Sequence, residues 1–238
     1  MSKLRAYFII DPLIVLATAV MGTLSMLASF ADRSGNLPHR IARGWSRILI
    51  LVSGMKVRVE GLEKVSPDLG YVIASNHLSL MDTPLMMGYL PLQFRFLAKR
   101  GLFRIPFIGG HLRRAGHISI PREDVRGSLK AMSETAHVIR ERGVSALVFP
   151  EGGRSEGELR EFKEGAAYIA IKAGVPIIPV AISGTLQVLP MGSAEVRPGP
   201  VSLRLGDPIP TAGLSLPDRH RLTADIRARI LELNGRLP

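Results

Sequence analysis

From about residue 55 onward, short apolar runs alternate with longer helical patterns, and this rhythm restricts the fold more than any other feature. Residues 71–75 (Tyr-Val-Ile-Ala-Ser) read as a buried strand, and residues 94–98, 117–120, 144–149, 176–182 and 201–205 as further strands. Between them lie a helix opening at Thr83-Pro84, a short helix or loop over 101–112, and helices over 125–142, 165–173 and 218–233. Thr followed by Pro is a start signal, because the fixed φ of Pro suits the first helical position and its missing N–H is not needed there. Within 125–142, Leu129, Met132, Ala136 and Ile139 share the stripe that a helix turns towards a core. Strands separated by helices imply crossover connections. The expected fold is therefore α/β, with a largely parallel central sheet flanked by helices. Pro176 and Pro179 predict an edge or irregular strand over 176–182, since proline cannot donate to a ladder.

The N-terminus follows a different pattern. Residues 13–30 run without a charge behind Asp11-Pro12. As a helix this run reaches about 27 Å at about 1.5 Å per residue, against a hydrocarbon core of about 30 Å. In residues 39–52, Ile41, Trp45, Ile48, Leu49 and Val52 recur at helical spacing, while Arg40, Arg43 and Arg47 share another face. A basic amphipathic helix of this kind can lie among headgroups with its arginines near anionic lipid. Lys3 and Arg5 precede the first run and Arg33 and Arg40 follow it, so basic residues give no crossing direction. The expectation is a two-helix membrane-associating motif over 1–54 that dips into one leaflet on the cytoplasmic face of the cell membrane. An α/β catalytic domain over 55–238 follows. Two plainer readings stand beside it: a secretory signal peptide, for which Asp11-Pro12 interrupts the approach and no convincing small-x-small cleavage site follows, and two ordinary buried helices.

Charge points the same way. Thirty-one Lys and Arg against 20 Asp and Glu give a formal net charge of +11, which attracts nucleic acid, an anionic bilayer or phosphorylated small molecules. The few aromatic residues do not interleave with a basic strand face and no zinc finger is visible, so nucleic acid is not an expected partner. Hydrophobic residues at 46% exclude a disordered or collagen-like chain and suggest apolar surface. The absence of cysteine excludes a thiol nucleophile, disulfides and Cys-ligated zinc.

His77 falls just after the strand at 71–75 and Asp82 just before the next helix. Sites in open α/β sheets gather at this strand-to-helix edge. Five residues on a straight helix turn through about 500°, leaving the two about 140° apart. The intervening turn must therefore bring carboxylate to imidazole. Asp82 would then hold one ring nitrogen protonated and leave the other as a base. A base of this kind can take a proton from the substrate's own hydroxyl, so no protein nucleophile is needed. The plain alternative is a structural histidine, with Asp82 assisting the helix start.

Phe149-Pro150-Glu151-Gly152-Gly153-Arg154-Ser155 also closes a strand. Gly152 and Gly153 free the backbone to approach a ligand, Arg154 offers a fork for phosphate, and Glu151 could orient a polyol hydroxyl. A flexible charged turn is the alternative. Arg122, ending the stretch that begins at Gly116, could join Arg154 on a phosphate or be a solvated surface arginine. The apolar stretch 175–185 suits an acyl or pantetheine wall, or plain core packing.

In this order the blocks resemble the glycerolipid acyltransferases with an H-x-x-x-x-D motif, especially the 1-acyl-glycerol-3-phosphate acyltransferases. Asn76-His77 through Asp82 matches N-H-x-x-x-x-D, and Gly116 through Arg122 is similar to a G-x-I-F-I-D-R block. Phe149 to Ser155 is similar to F-P-E-G-T-R-S, Phe162 to Ala166 to F-K-x-G-A, and Val175 to Pro179 to V-P-I-I-P. The resemblance spans roughly residues 45 to 210. It implies that His77 is the general base on a lysophospholipid hydroxyl and Asp82 its orienting partner. It further implies that Arg122, Glu151, Gly152, Gly153 and Arg154 bind the glycerol and phosphate. The acyl donor would be acyl-CoA or acyl-carrier protein, the product phosphatidic acid, and neither metal nor cofactor would be required. Gly153 stands where the family has Thr, and Ser119 and Pro121 replace an aromatic and an acidic residue. These departures touch the acceptor more than the reaction. Another lysophospholipid or a lyso-aminolipid is the alternative acceptor, and a non-catalytic lipid-binding protein the alternative class.

Overall fold

The computed structural model describes residues 4, 6–121 and 123–235. Its centre is a sheet of β1 (Met55–Glu60), β2 (Val72–Ser75), β3 (Phe94–Lys99), β4 (Ile118–Ile120), β5 (Ser145–Val148), β6 (Ile177–Ser183) and β7 (Gly199–Leu205). The spatial order is β1-β7-β6-β2-β5-β3-β4. Among the described residues every neighbouring pair is parallel except β6 with β7. The α/β expectation holds.

Helices cover both faces: α1 (Asp11–Ala31), α2 (Asn36–Ser53), α3 (Asp82–Tyr89), α4 (Ile108–Arg114), α5 (Val125–Arg142), α6 (Gly165–Ala173), the single turn α7 (Thr185–Val188) and α8 (Arg219–Gly235). Side chains alternate across a strand, and the sheet divides its strands accordingly. Ile73, Leu147, Ile178 and Ile182 join α2 and α3 in one core. Val72, Ala74, Ala146 and Ile177 join α5, α6 and α8 in the other. Strands buried on both faces need continuous apolar runs, which is why β2 and β5 read so plainly.

Several expectations change. The helix expected at Thr83-Pro84 opens one residue earlier, at Asp82, with Met81 as its cap. Pro84 is tolerated because N–H groups in the first turn have no partner within the helix. The strand over 176–182 is neither irregular nor at an edge: β6 lies between β7 and β2. The carbonyl of Pro179 accepts the Gly206 amide, while the β6–β7 ladder begins only at Val180 opposite Leu205. The missing N–H of Pro179 therefore falls before the ladder that would have used it. The stretch 101–112 resolves into a 3-10 turn (Arg100–Arg104) followed by the start of α4.

Asp11-Pro12 does not break the N-terminal helix. A π-helical turn (Ala6–Ile10) leads straight into α1, with Pro12 in its first turn. The continuous segment Ala6–Ala31 has 26 residues, about 39 Å at about 1.5 Å per residue. It is long and apolar enough to cross a bilayer. α1 is not an ordinary buried helix, because its Leu13, Val15, Leu16, Val20, Leu24, Leu27 and Phe30 are exposed, whereas α2 buries His39, Ala42, Ser46, Leu49 and Ile50 against the domain. The opposite face of α1 is seated on protein. Trp45 donates its indole N–H to Thr18 (3.1 Å), Ser25 pairs with His111 Nδ1 (2.6 Å), and Arg114 reaches Ser29 (3.2 Å) and lies over the Phe30 ring (4.2 Å). Gly22 is needed there, since a Cβ would stand 2.8 Å from that of Phe107.

The arginines of α2 also depart from expectation. Arg40 is exposed, but Arg43 donates to the carbonyls of Met87, Leu90 and Leu92, and Arg47 to that of Gly88. The last carbonyls of a helix have no partner within it. These two arginines satisfy the end of α3 rather than lipid headgroups.

Candidate active site

β2 and β6 lie side by side, so the loop leaving one is close to the turn leaving the other. Asn76 fixes that proximity: its amide donates to the Ile182 carbonyl (2.9 Å) and accepts from the Ile182 N–H (2.8 Å). The next residue is His77. Its Nδ1 lies 2.7 Å from Oδ2 of Asp82, and the same oxygen accepts the backbone amides of Leu78 (2.6 Å) and Ser79 (2.9 Å). Asp82 is fully buried, and its other oxygen accepts the hydroxyl of Thr185 at 2.5 Å. The tight turn between the two residues thus closes the gap that a straight helix would leave.

The tautomer follows. An ionised carboxylate can only accept, so Nδ1 of His77 carries the proton and Nε2 keeps its lone pair. The imidazole retains a sixth of its surface open, at 16%. It is stacked on Phe149, with ring centroids 4.0 Å apart and planes 15° from parallel. Carboxylate and aromatic ring together fix the direction in which Nε2 points.

The glycine–arginine loop sits directly against this pair. Glu151 is buried, its Oε1 accepting the His77 amide (2.8 Å) and its Oε2 the Arg160 amide (3.0 Å). The Ser155 amide in turn donates to the His77 carbonyl (2.8 Å). Both oxygens of Glu151 are engaged by main chain, so the structure places it as a brace on the backbone of His77. Arg154 is half-buried and makes no hydrogen bond or ion pair with another described residue. Gly152 has φ +73°, the left-handed region that favours glycine, and a Cβ there would come within 3.1 Å of Lys163 Nζ. A Cβ at Gly153 would meet only the Arg160 guanidinium, at 3.9 Å. No close contact therefore demands glycine there, and the departure at Gly153 removes a hydroxyl and leaves open space in its place. Arg122 lies outside the described residues.

Sequence reasoning missed three groups: Thr185, Lys163 and Arg160. Lys163 and Arg160 are exposed cations flanking the loop that carries Arg154. Only the Phe-Lys-x-Gly-Ala stretch hinted at the first. A groove of about 340 Å³ opens between α5 and α6, lined by Phe149, Gly152 and Lys163 with Leu129, Met132 and Ile169 behind. Phe149 therefore serves twice, as the platform under His77 and as a wall of the groove. The apolar stretch 175–185 is mainly core: Ile178, Val180 and Ile182 are buried in the sheet.

A family model described as Acyltransferase matches residues 56–183. The chain is 32% identical over 204 residues to a 1-acyl-sn-glycerol-3-phosphate acyltransferase of Limnanthes douglasii, covering 83% of this chain and 71% of that protein. It is 36% identical over 160 residues to a chloroplastic 1-acyl-sn-glycerol-3-phosphate acyltransferase of Arabidopsis thaliana, covering 66% of this chain and 44% of that one. Its structure resembles that of the 1-acyl-sn-glycerophosphate acyltransferase PlsC from Thermotoga maritima, with a TM-score of 0.79 at 28% identity, over 99% of this chain and 96% of that one.

Proposed function

Because the chain belongs to the 1-acyl-sn-glycerol-3-phosphate acyltransferase family, we propose that it moves a fatty acyl group from an acyl thioester to the free hydroxyl of 1-acyl-glycerol-3-phosphate, giving phosphatidic acid. The observation that carries this reading is the His77–Asp82 contact at 2.7 Å, which leaves Nε2 free at a partly open edge. In the proposed reaction Nε2 takes the hydroxyl proton as the oxygen attacks the thioester carbonyl. The new C–O bond forms, the C–S bond breaks, and the imidazolium returns the proton to the departing thiolate. Asp82 stabilises the imidazolium in between. Arg154, with the backbone of Gly152 and Gly153 and with Arg122, binds the acceptor phosphate; Glu151 acts by holding His77 in place. The scheme requires no cofactor, and acyl-CoA or acyl-carrier protein enters as donor substrate.

A donor-by-acceptor matrix on detergent-purified protein tests this. Thiol release should be fastest with lysophosphatidic acid, and a preference for acceptors without phosphate would overturn the substrate assignment. The open space at Gly153 favours one second reading, a lysophospholipid with a larger headgroup, and the same matrix separates the two. Absence of thiol release with every donor would instead indicate a lipid-binding protein.

The reaction is placed at a bilayer surface, on the cytoplasmic face, with residues 1–54 as the seat and 55–238 as the catalytic domain. Support comes from the outward apolar face of α1, a helix against which Phe107 packs at Gly22, and from exposed Leu102 and Ile105 in the same segment as exposed Lys99, Arg100 and Arg104. Apolar area flanked by cations suits an anionic membrane. Leu16→Asp combined with Leu27→Asp should sharply reduce co-sedimentation with phosphatidylglycerol vesicles without altering the far-ultraviolet circular dichroism. Undiminished sedimentation would count against this seat.

A further inference from the structure

We propose that Thr185 is a positioning residue for acyl transfer: its hydroxyl holds the Asp82 carboxylate in the orientation that keeps Nδ1 of His77 protonated. This rests on the reading of His77 as the general base. The two oxygens of Asp82 are served very differently. Oδ2 receives His77 and two backbone amides, whereas the side-chain donor to Oδ1 is the hydroxyl of Thr185, at 2.5 Å. Both residues are fully buried, so no bulk water replaces that donor if it is lost. A buried charged oxygen without a partner is costly, and the carboxylate would turn to find one. Rotation of the carboxylate would pull Oδ2 away from the imidazole.

The chain takes a constrained route to deliver this hydroxyl. Thr185 opens α7 immediately after β6, behind Gly184 at φ +85°. A Cβ at Gly184 would lie 2.2 Å from the Pro200 carbonyl oxygen, so the turn requires glycine. Two further contacts tie the same two segments together. Asn76 pairs with Ile182 on one side, and Ser79 donates to the Leu189 carbonyl (2.8 Å) on the other. Loop 76–82 is thus fixed to residues 182–189 at three points, and the middle one touches the dyad. The end of the apolar stretch is there to orient the base, which is a role distinct from that of a wall for the acyl chain.

The test compares Thr185→Val and Thr185→Ser in the full-length, detergent-purified enzyme, using the best donor and acceptor for the wild type. A hydrogen bond to a charged group is worth roughly a 10- to 100-fold effect on rate when it acts only through the dyad. Thr185→Val should lower kcat by that factor with KM within about twofold, and Thr185→Ser should restore most of it. If the valine variant fails to fold, Thr185→Ala takes its place, because serine and alanine differ by the hydroxyl alone. Wild-type kcat in the valine or alanine variant would overturn the proposal, and so would a serine variant as slow as the alanine one. Loss confined to KM would also overturn it, by placing Thr185 on the substrate. Transfer by the wild-type enzyme is the control: if it is absent with all acceptors, the acyltransferase reading falls and this proposal falls with it.

Discussion

Replacing His77 with alanine is expected to lower kcat for acyl transfer by about 10²- to 10⁴-fold, the range of general base catalysis, while the protein still folds and binds vesicles. The chemical loss is large because no other described imidazole is placed beside Asp82. The structural loss is small because Asp82 keeps the Leu78 and Ser79 amides and the Thr185 hydroxyl as donors. The backbone of residue 77 likewise keeps its bonds to Glu151 and Ser155, since neither involves the side chain. KM for the acceptor should change little, because a base acts on the reacting proton and contributes little to ground-state binding. Thiol release measured under saturating donor provides the check. Turnover near the wild-type rate in pure His77→Ala protein would remove His77 from the mechanism.

A second large effect is expected on acidification, away from the site. Where α2, α4 and the neighbouring strands meet, three histidines are held neutral. Burial, reinforced by Arg95 and Arg43, pushes His39 from its ordinary 6.5 down to about 3. Burial and Arg95 bring His111, which is partly open to solvent, to about 4. Burial, with His111, Arg95 and His39 nearby, keeps His117 well below 6.5. Arg95 is itself buried and bonded to the Ser34 carbonyl and to Asn36. The sign follows from proton counting. Below about pH 6.5 the unfolded chain binds protons that the folded chain refuses, so stability is fully present above that value and declines as pH falls towards 4. At about 1.4 kcal/mol per pH unit, His39 alone accounts for a few kcal/mol across that window. This is a large share of the roughly 5–15 kcal/mol of a typical domain. Melting temperature should therefore drop steeply between pH 6 and 4. His39→Gln, which can still donate to the Leu92 carbonyl that His39 Nε2 reaches at 3.2 Å, should flatten the dependence. A melting temperature unchanged from pH 7 to 4.5 would refute the coupling.

Strands such as β2 were legible because each is an apolar run with alternating destinations, as Ile73 and its neighbours Val72 and Ala74 illustrate; β1, in which Lys56, Arg58 and Glu60 alternate with Met55, Val57 and Val59, was not. The His77–Asp82 contact was legible too, since the two lie five residues apart in one loop. Contacts between distant residues were not. Thr185 lies 103 residues from Asp82, and only the pairing of β2 with β6 brings them together. Glu151 looked like a ligand group because a carboxylate in a glycine-rich loop invites that reading; its bonds to the main-chain amides of His77 and Arg160, 74 and 9 residues away, were not legible. Arg43 and Arg47 looked like headgroup ligands because a helical wheel shows which face a residue is on, without showing what the face meets.

Those two arginines have a mechanical consequence. α3 is eight residues long, about 12 Å at about 1.5 Å per residue. Asp82 stands at its first position, and the carbonyls at its far end are gripped by Arg43 and Arg47 of α2. The α1–α2 pair and the Asp82 carboxylate therefore sit at the two ends of one short rod. An enzyme on a flexible tether would sample every tilt relative to the lipid plane. On the proposed membrane seat, the angle at which α1 and α2 meet a bilayer would also set the angle at which Nε2 faces the headgroups, making the lipid surface a reference plane for the proposed reaction.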